Sequence, residues 1–278
     1  MNFKVKFLAL ALITATLFTS CEGDDVAGVS NTEKAKAIIN SIENGNTQPA
    51  NDYINSTTYK QHNLQGVDGK QGVIDFVKAA SASGTKVSIK RVFTDNDLVV
   101  LHTEYTNLFG ENKAVFDVFK FDANGQAVEH WDNIQTIATA NASGHTLLDG
   151  ATTVTDKTKT EANRTLVANF MNEVLVNHTF TNLANYVAVD YIQHNPQGSD
   201  GLASLQGSTS ILAQLNYAPK KILAEGNFVL AMSQMEAFGS TMAVYDMWRI
   251  ENGKLAEHWD IIETIPDAST WANTNGKW

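Results

Sequence analysis

Two short words hold the residues of this chain best suited to chemistry. "EHWDNIQTI" at 129–137 and "EHWDIIETI" at 257–265 each place a histidine and an aspartate two positions apart. Side chains alternate along a strand, so His130 and Asp132 share one face while Glu129, Trp131 and Asn133 share the other. His258 and Asp260 stand in the same way against Glu257, Trp259 and Ile261. One face therefore carries an ionisable pair and the other a large indole. Such a pair can move a proton next to a carbonyl, with the aspartate as base and the histidine as its partner. The words "VFDVF" and "VYDMW" add Asp117 and Asp246. A carboxylate among large apolar residues is costly to desolvate unless it is paired or keeps its proton, which marks both as pocket candidates. The plainer reading is an aspartate bonded to its own histidine.

A second pair of words is "YKQHNLQGVDG" at 59–69 and "YIQHNPQGSDG" at 191–201. Their glycines, with Asp68 and Asp200, read as turn chemistry. His62, Asn63, His194 and Asn195 have two readings. In one, the Asn caps a turn and the His packs against the neighbouring unit. In the other, both sit at a pocket mouth, the Asn donating to a carbonyl or enolate oxygen and the His carrying or orienting a proton. His62, His130 and Asp132 offer an alternative set for a divalent metal, but no dense ligand motif supports it. Proton abstraction needs neither metal nor cofactor, and none is expected. Copy one also has His102 and Glu104 on a strand where copy two has Met232 and Gln234, so the first lining is more ionisable and the second better suited to an apolar ligand.

These words recur because the chain is one unit written twice. The offset is 132 for the first pair and 128 for the second. Each copy opens with an amphipathic helix, "NTEKAKAIINSIENG" and "KTEANRTLVANFMNEVLVNH", with apolar residues at helical spacing. Second helices follow at "GKQGVIDFVKAASAS" and, more weakly, "GSTSILAQLNY". About four strands of period two come next, broken by turns such as "DANGQ" and "ENGK". Helices first, then an antiparallel meander, is an α+β pattern with helices over one face of a curved sheet.

The QHN, DG and EHWD words over 31–139 and 160–267 resemble the SnoaL-like polyketide cyclase family of the nuclear transport factor two-like superfamily. The resemblance implies two tandem cone-shaped α+β barrels, each enclosing a pocket between helices and concave sheet. It also implies an aspartate general acid/base in some members, at Asp132 and Asp260 here. With the ionisable faces inward, Trp131 and Trp259 fall on the outer faces, and packing sheet to sheet would bury them as an intramolecular pseudo-dimer.

The organisation that follows is a signal at 1–20, a tether at 21–30, domains at 31–139 and 160–267, a linker at 140–159 and a tail at 268–278. Lys4 and Lys6 precede an apolar run that ends at "LFTSC", which resembles the lipobox of bacterial lipoproteins, although Phe18 replaces the usual Leu. Cys21, the only cysteine, is then the lipidated residue. Acyl chains contribute about 0.8 kcal/mol per buried methylene, which predicts membrane anchoring in the bacterial cell envelope. Beyond the signal stand 18 basic and 30 acidic residues with no basic stripe, which argues against nucleic acid. His145 and His178 read as solvated. Two functions stand open: capture of a small, largely apolar ligand in a pocket of each domain without turnover, or cofactor-independent isomerase, cyclase or lyase chemistry on a carbonyl compound.

Overall fold

The computed structural model describes residues 28–278. The signal, Cys21 and most of the tether lie outside the described residues, so the lipid anchor has no structural counterpart here. Among the described residues no helix is long and apolar enough to cross a membrane.

The first unit begins with α1 (Asn31–Asn44), whose Ser30 cap accepts from the Glu33 N–H at 3.2 Å. α1 stops at Gly45, which takes the left-handed conformation. Ala35, Ile38, Ile39 and Ile42 form its buried stripe, as the spacing predicts. After α2 (Gln48–Tyr53), β1 (Lys60–Gln61) and α3 (Gly69–Ala82) come four long strands: β2 (Lys86–Asp95), β3 (Leu98–Leu108), β4 (Glu111–Phe121) and β5 (Ala127–Thr136).

The second unit repeats this order. α4 (Thr160–Phe170) runs on into a π-helical turn at Met171–Val176, and α5 (Leu183–Tyr186), β6 (Val187–Gln193), α6 (Leu202–Gly207) and α7 (Thr209–Leu212) follow. The strands are β7 (Asn216–Glu225), β8 (Phe228–Ala237), β9 (Ser240–Glu251) and β10 (Lys254–Thr264). The sheets have matching orders, β1-β5-β4-β3-β2 and β6-β10-β9-β8-β7. This is the expected α+β class, with one addition: the segment entering each His-Asn word is a fifth strand, pairing in parallel with β5 or β10. Two residues of β1 are too few to show a period-two pattern.

The helical cover differs between the units. α3 is a single 14-residue helix burying Ile74, Val77 and Ala80. The same region of the second unit breaks into α6 and α7, neither of which buries a residue.

Each sheet has a concave face under its helices and an outer face turned to the other sheet. One buried cluster joins Val100, Phe116, Val118 and Trp131 of the first sheet to Leu230, Met232, Tyr245, Met247 and Trp259 of the second. Asn133 donates across this junction to the carbonyl of Ala243, at 3.0 Å, and to that of Ile261. The segments after β5 and β10 cross over reciprocally: the linker lies on the second unit and the tail on the first. Asn141 donates to the Gln193 carbonyl, and Asn273 to the carbonyls of Asn63 and Gly66.

Candidate acid/base sites on the concave faces

Strand register assembles the site. Gln61 pairs with His130 across the parallel β1–β5 ladder, and Asp117 lies directly opposite Asp132 across β4–β5. The second unit repeats this with Gln193 beside His258 and Asp246 opposite Asp260. His130 therefore sits between two acceptors, Nδ1 at 3.0 Å from Gln61 Oε1 and Nε2 at 3.1 Å from Asp117 Oδ1. His258 does the same, 2.9 Å from Gln193 Oε1 and 3.0 Å from Asp246 Oδ1. The plainer expectation for Asp117 and Asp246, bonding to their own histidine, is thus realised within a three-residue chain.

Asp132 and Asp260 stand beside this chain rather than in it. Each receives an amide N–H on Oδ2, from Asn63 at 2.8 Å and from Asn195 at 2.6 Å. The Asn side chains therefore orient a carboxylate and are not free to face a substrate oxygen with that hydrogen. The turn serves the same end. Asp68 and Asp200 accept the backbone N–H of Gln61 and Gln193, and the backbones of Asn63 and Asn195 donate to the Gln Oε1 atoms. A Cβ on Gly198 would stand 2.5 Å from the Gln193 Cγ, so the glycine makes room for the Gln that holds the histidine.

Gln61 and Gln193 were not among the expected site residues. The signal was present in the repeated Gln-His-Asn, but without the parallel strand nothing places the Gln next to a histidine some 65 residues downstream.

His62, His194 and His102 are corrections to the pocket reading. His62 stacks on Trp131 at 4.7 Å and His194 on Trp259 at 4.6 Å, so both lie on the inter-sheet side. The His-Asn pair divides because alternation sends neighbours to opposite faces. The set His62, His130 and Asp132 therefore cannot share a metal. His102 alternates with Leu101 onto the outer face, where it stacks on Phe116 and contacts Arg91 at 3.1 Å. Burial, and then the charge of Arg91, hold His102 well below the ordinary imidazole range. Met232 in its place belongs to the inter-sheet core, so the His102/Met232 difference concerns the junction and not the concave faces.

The real differences between the concave sites lie elsewhere. Tyr105 donates to Asp117 Oδ2 at 3.2 Å in the first unit. Aligned by register, Leu101 and Tyr105 become Ala231 and Met235 in the second, and Asp246 Oδ2 has no hydrogen-bond partner among the described residues. Asp132 Oδ1 and Asp260 Oδ1 also lack one, but Lys277 of the tail reaches within 3.8 Å of Asp132. An apolar patch of Met235, Val244, Met242, Leu215 and Ile262 adjoins Asp246 and Asp260 on the same face.

Electrostatics follow from burial and the facing carboxylates. Burial raises Asp117 above the usual carboxylate range, against the bond from His130, and the Asp132 charge adds to the rise. Burial likewise raises Asp246, with the charge of Asp260 in the same sense. Burial opposes charge on His258, but its bond to Asp246 and the charges of Asp260 and Asp246 outweigh that and raise it. Both directions keep a proton within the Asp246–His258 pair. Asp117, His130 and Asp132 bring ligand-type atoms within 4.8 Å of one another, as do Asp246, His258 and Asp260. Each of these sets offers one imidazole beside two carboxylates, an arrangement suited to relaying a proton along the Gln–His–Asp chain.

No family model matches the chain, and no curated protein does. Solved structures similar to it include a proposed ketosteroid isomerase from Kribbella flavida, at 16% identity and TM-score 0.36, covering 39% of this chain and 83% of that one. Another is an NTF2-like protein of unknown function from Cytophaga hutchinsonii, at 19% identity and TM-score 0.33, covering 41% of this chain and 95% of that one. A third is an LEH-like epoxide hydrolase from M. tuberculosis, at 18% identity and TM-score 0.33, covering 38% and 85%. Their activities do not carry over to this chain.

Proposed function

We propose that the chain binds a small, largely apolar ligand carrying a hydroxyl or amine donor, and that the second unit is the principal site. The observation that carries this is the pair of buried carboxylate oxygens, Asp246 Oδ2 and Asp260 Oδ1, that lack donors among the described residues. A buried acceptor without a partner costs about 1–3 kcal/mol, and a ligand donor recovers it. The patch with Met235 and Met242 supplies an adaptable apolar wall. α6 and α7, which bury no residue, form a cover that can yield to admit a ligand. The first unit has the same machinery closed by Tyr105 and Lys277. Anchoring through Cys21 would hold such a binder at a bacterial membrane.

The test is a thermal-shift comparison of small cyclic alcohols with their ketone and hydrocarbon counterparts. Alcohols should raise Tm in the wild type, and the effect should be lost in Asp260→Asn and Asp246→Asn. Equal shifts by alcohol and hydrocarbon, or shifts unchanged in both variants, would overturn the reading.

A second reading rests on the Gln193–His258–Asp246 chain. In it Asp260 takes a proton from a carbon next to a carbonyl and returns it to another carbon, giving an isomer with no net change in atoms. Burial and the charges of Asp246 and Asp260 raise Tyr217 well above the usual phenol range, and in this reading its hydroxyl would be the donor toward the developing oxyanion. Hydrogen–deuterium exchange into a bound ketone, absent in Asp260→Asn, distinguishes turnover from capture.

A further inference from the structure

Outside these sites, the linker and the second unit bring two histidines onto one carboxylate. His145 Nδ1 lies 2.9 Å from Asp149 Oδ2, and His194 Nδ1 lies 3.1 Å from Asp149 Oδ1. Each histidine turns its other nitrogen to a second carboxylate: His145 Nε2 to Asp200 at 3.3 Å and His194 Nε2 to Glu257 at 2.9 Å. The expectation that His145 is merely solvated is thereby corrected.

We propose that His145, His194 and Asp149 form a binding site for a divalent transition-metal ion of the zinc, cobalt and nickel class, which staples the linker to the second unit. Each ring turns both nitrogens to acceptor oxygens, with the two Nδ1 atoms converging on Asp149. Two such rings meet here around a single carboxylate. The outer Asp200 and Glu257 are the partners that fix ligating histidines, each accepting the Nε2 hydrogen and leaving the Nδ1 lone pair for the ion. Glu257 is itself held by Arg249 at 2.7 Å. Ligand atoms about 3.4 Å apart suit tetrahedral bonds of roughly 2.1 Å; here the two nitrogens stand 2.9 and 3.1 Å from the two oxygens of Asp149, and the three ligand atoms lie within 4.8 Å of one another. The carbonyl of Thr146, 2.8 Å from His194 Nδ1, is placed to move aside or to become a fourth ligand. His194 is fully buried while the side chains of His145 and Asp149 are 28% and 43% exposed, which gives the ion a rigid floor and an entry from solvent.

The repeat supplies an internal control. "ANASGH" at 140–145 corresponds to "ANTNGK" at 272–277, so Lys277 stands where His145 does. His62, the counterpart of His194, meets the Gly276 carbonyl and no aspartate on its Nδ1. Among the described residues, a set with two histidines occurs only where the linker meets the second unit.

The test is cobalt(II) titration of chelator-stripped protein, followed by visible absorption, with Tm measured against zinc concentration. The wild type should develop cobalt–nitrogen absorption, and Tm should rise with zinc. His145→Lys, the residue that the tail carries at the matching position, and Asp149→Asn should abolish both while keeping the wild-type circular dichroism. Asp200→Asn, which removes the outer charge on His145 and keeps an Oδ1 to accept the Gln193 N–H, should weaken binding about 10–100-fold. Absence of binding in the wild type, or equal binding in His145→Lys, would overturn the proposal, the latter by placing the metal elsewhere.

Discussion

Lys277, one residue from the end of the chain, brings its ammonium within 3.8 Å of Asp132, a carboxylate of the other unit. The same ammonium donates to Glu263 at 2.6 Å, and the lysine side chain is 3% exposed. Burial raises Glu263 against the pull of Lys277. Lys277→Met keeps the apolar stem but leaves two carboxylates without their cation. We expect a loss of about 1–3 kcal/mol, since Glu263 keeps some exposure to water, measured by urea unfolding. Pairing it with Glu263→Gln should recover part of that loss. If Lys277 also closes the first site, the variant should bind a second equivalent of any ligand taken by the second unit, which calorimetry reads directly.

Gly150 tests the docking of the linker. Its φ is +94°, and a Cβ there would stand 2.8 Å from Trp259 and 2.9 Å from His194 Nε2, and would overlap the Glu257 carboxylate. Those neighbours are buried and stacked, so none can yield easily. Gly150→Ala should cost about 2–4 kcal/mol through strain and lost contacts. It should also expose the linker to limited proteolysis near Leu147 and Leu148, which are buried in the inter-sheet core. An unchanged cleavage pattern and midpoint would show that the linker is not clamped there.

The Asp246–His258 pair makes a pH prediction with a definite sign. Both groups hold a proton more tightly in the folded chain than in the unfolded one. Their contribution to stability is therefore full at low pH. It falls once pH rises above about 4 for the acid and about 6.5 for the imidazole, and is lost as pH passes their raised folded values. Asp246→Asn removes the acid and one cause of the rise in His258. Urea midpoints from about pH 5 to 8 should fall less steeply in this variant than in the wild type. Parallel curves would mean that the pair does not share a proton as its geometry implies.

What the sequence disclosed, and what it withheld, follows from the range of the interactions. Alternation along "EHWD" put His130 and Asp132 on the concave face and Trp131 opposite, because one strand fixes its own faces. The division of His62 from Asn63 follows the same rule, but needs the knowledge that "KQHN" is extended, and a two-residue strand leaves no pattern to read. The Gln61–His130 contact depends on a parallel pairing across 69 residues. Lys277 and His145 depend on the reciprocal crossing of tail and linker, a choice between equal connections that repeat spacing does not determine. The aspartate was legible as costly to bury, but whether a tyrosine, a lysine or nothing answers it required the register.

That register yields one exchange that separates the two units. Tyr105 satisfies Asp117 Oδ2 in the first, while Met235 at the matching position leaves Asp246 Oδ2 unpartnered. Met235→Tyr should place a phenol against Asp246. If the ring fits where the thioether lay, the new hydrogen bond to a buried acceptor should add about 1 kcal/mol or more, seen as a higher urea midpoint. The same ring would occupy the space proposed for the ligand, so binding of cyclic alcohols should be lost as stability rises. The reverse change, Tyr105→Met, should cost about 1–3 kcal/mol by stranding Asp117. Alcohol binding retained in Met235→Tyr would place the ligand away from Asp246, whereas gained stability with lost binding would mark Asp246 Oδ2 as the acceptor that the second unit keeps open.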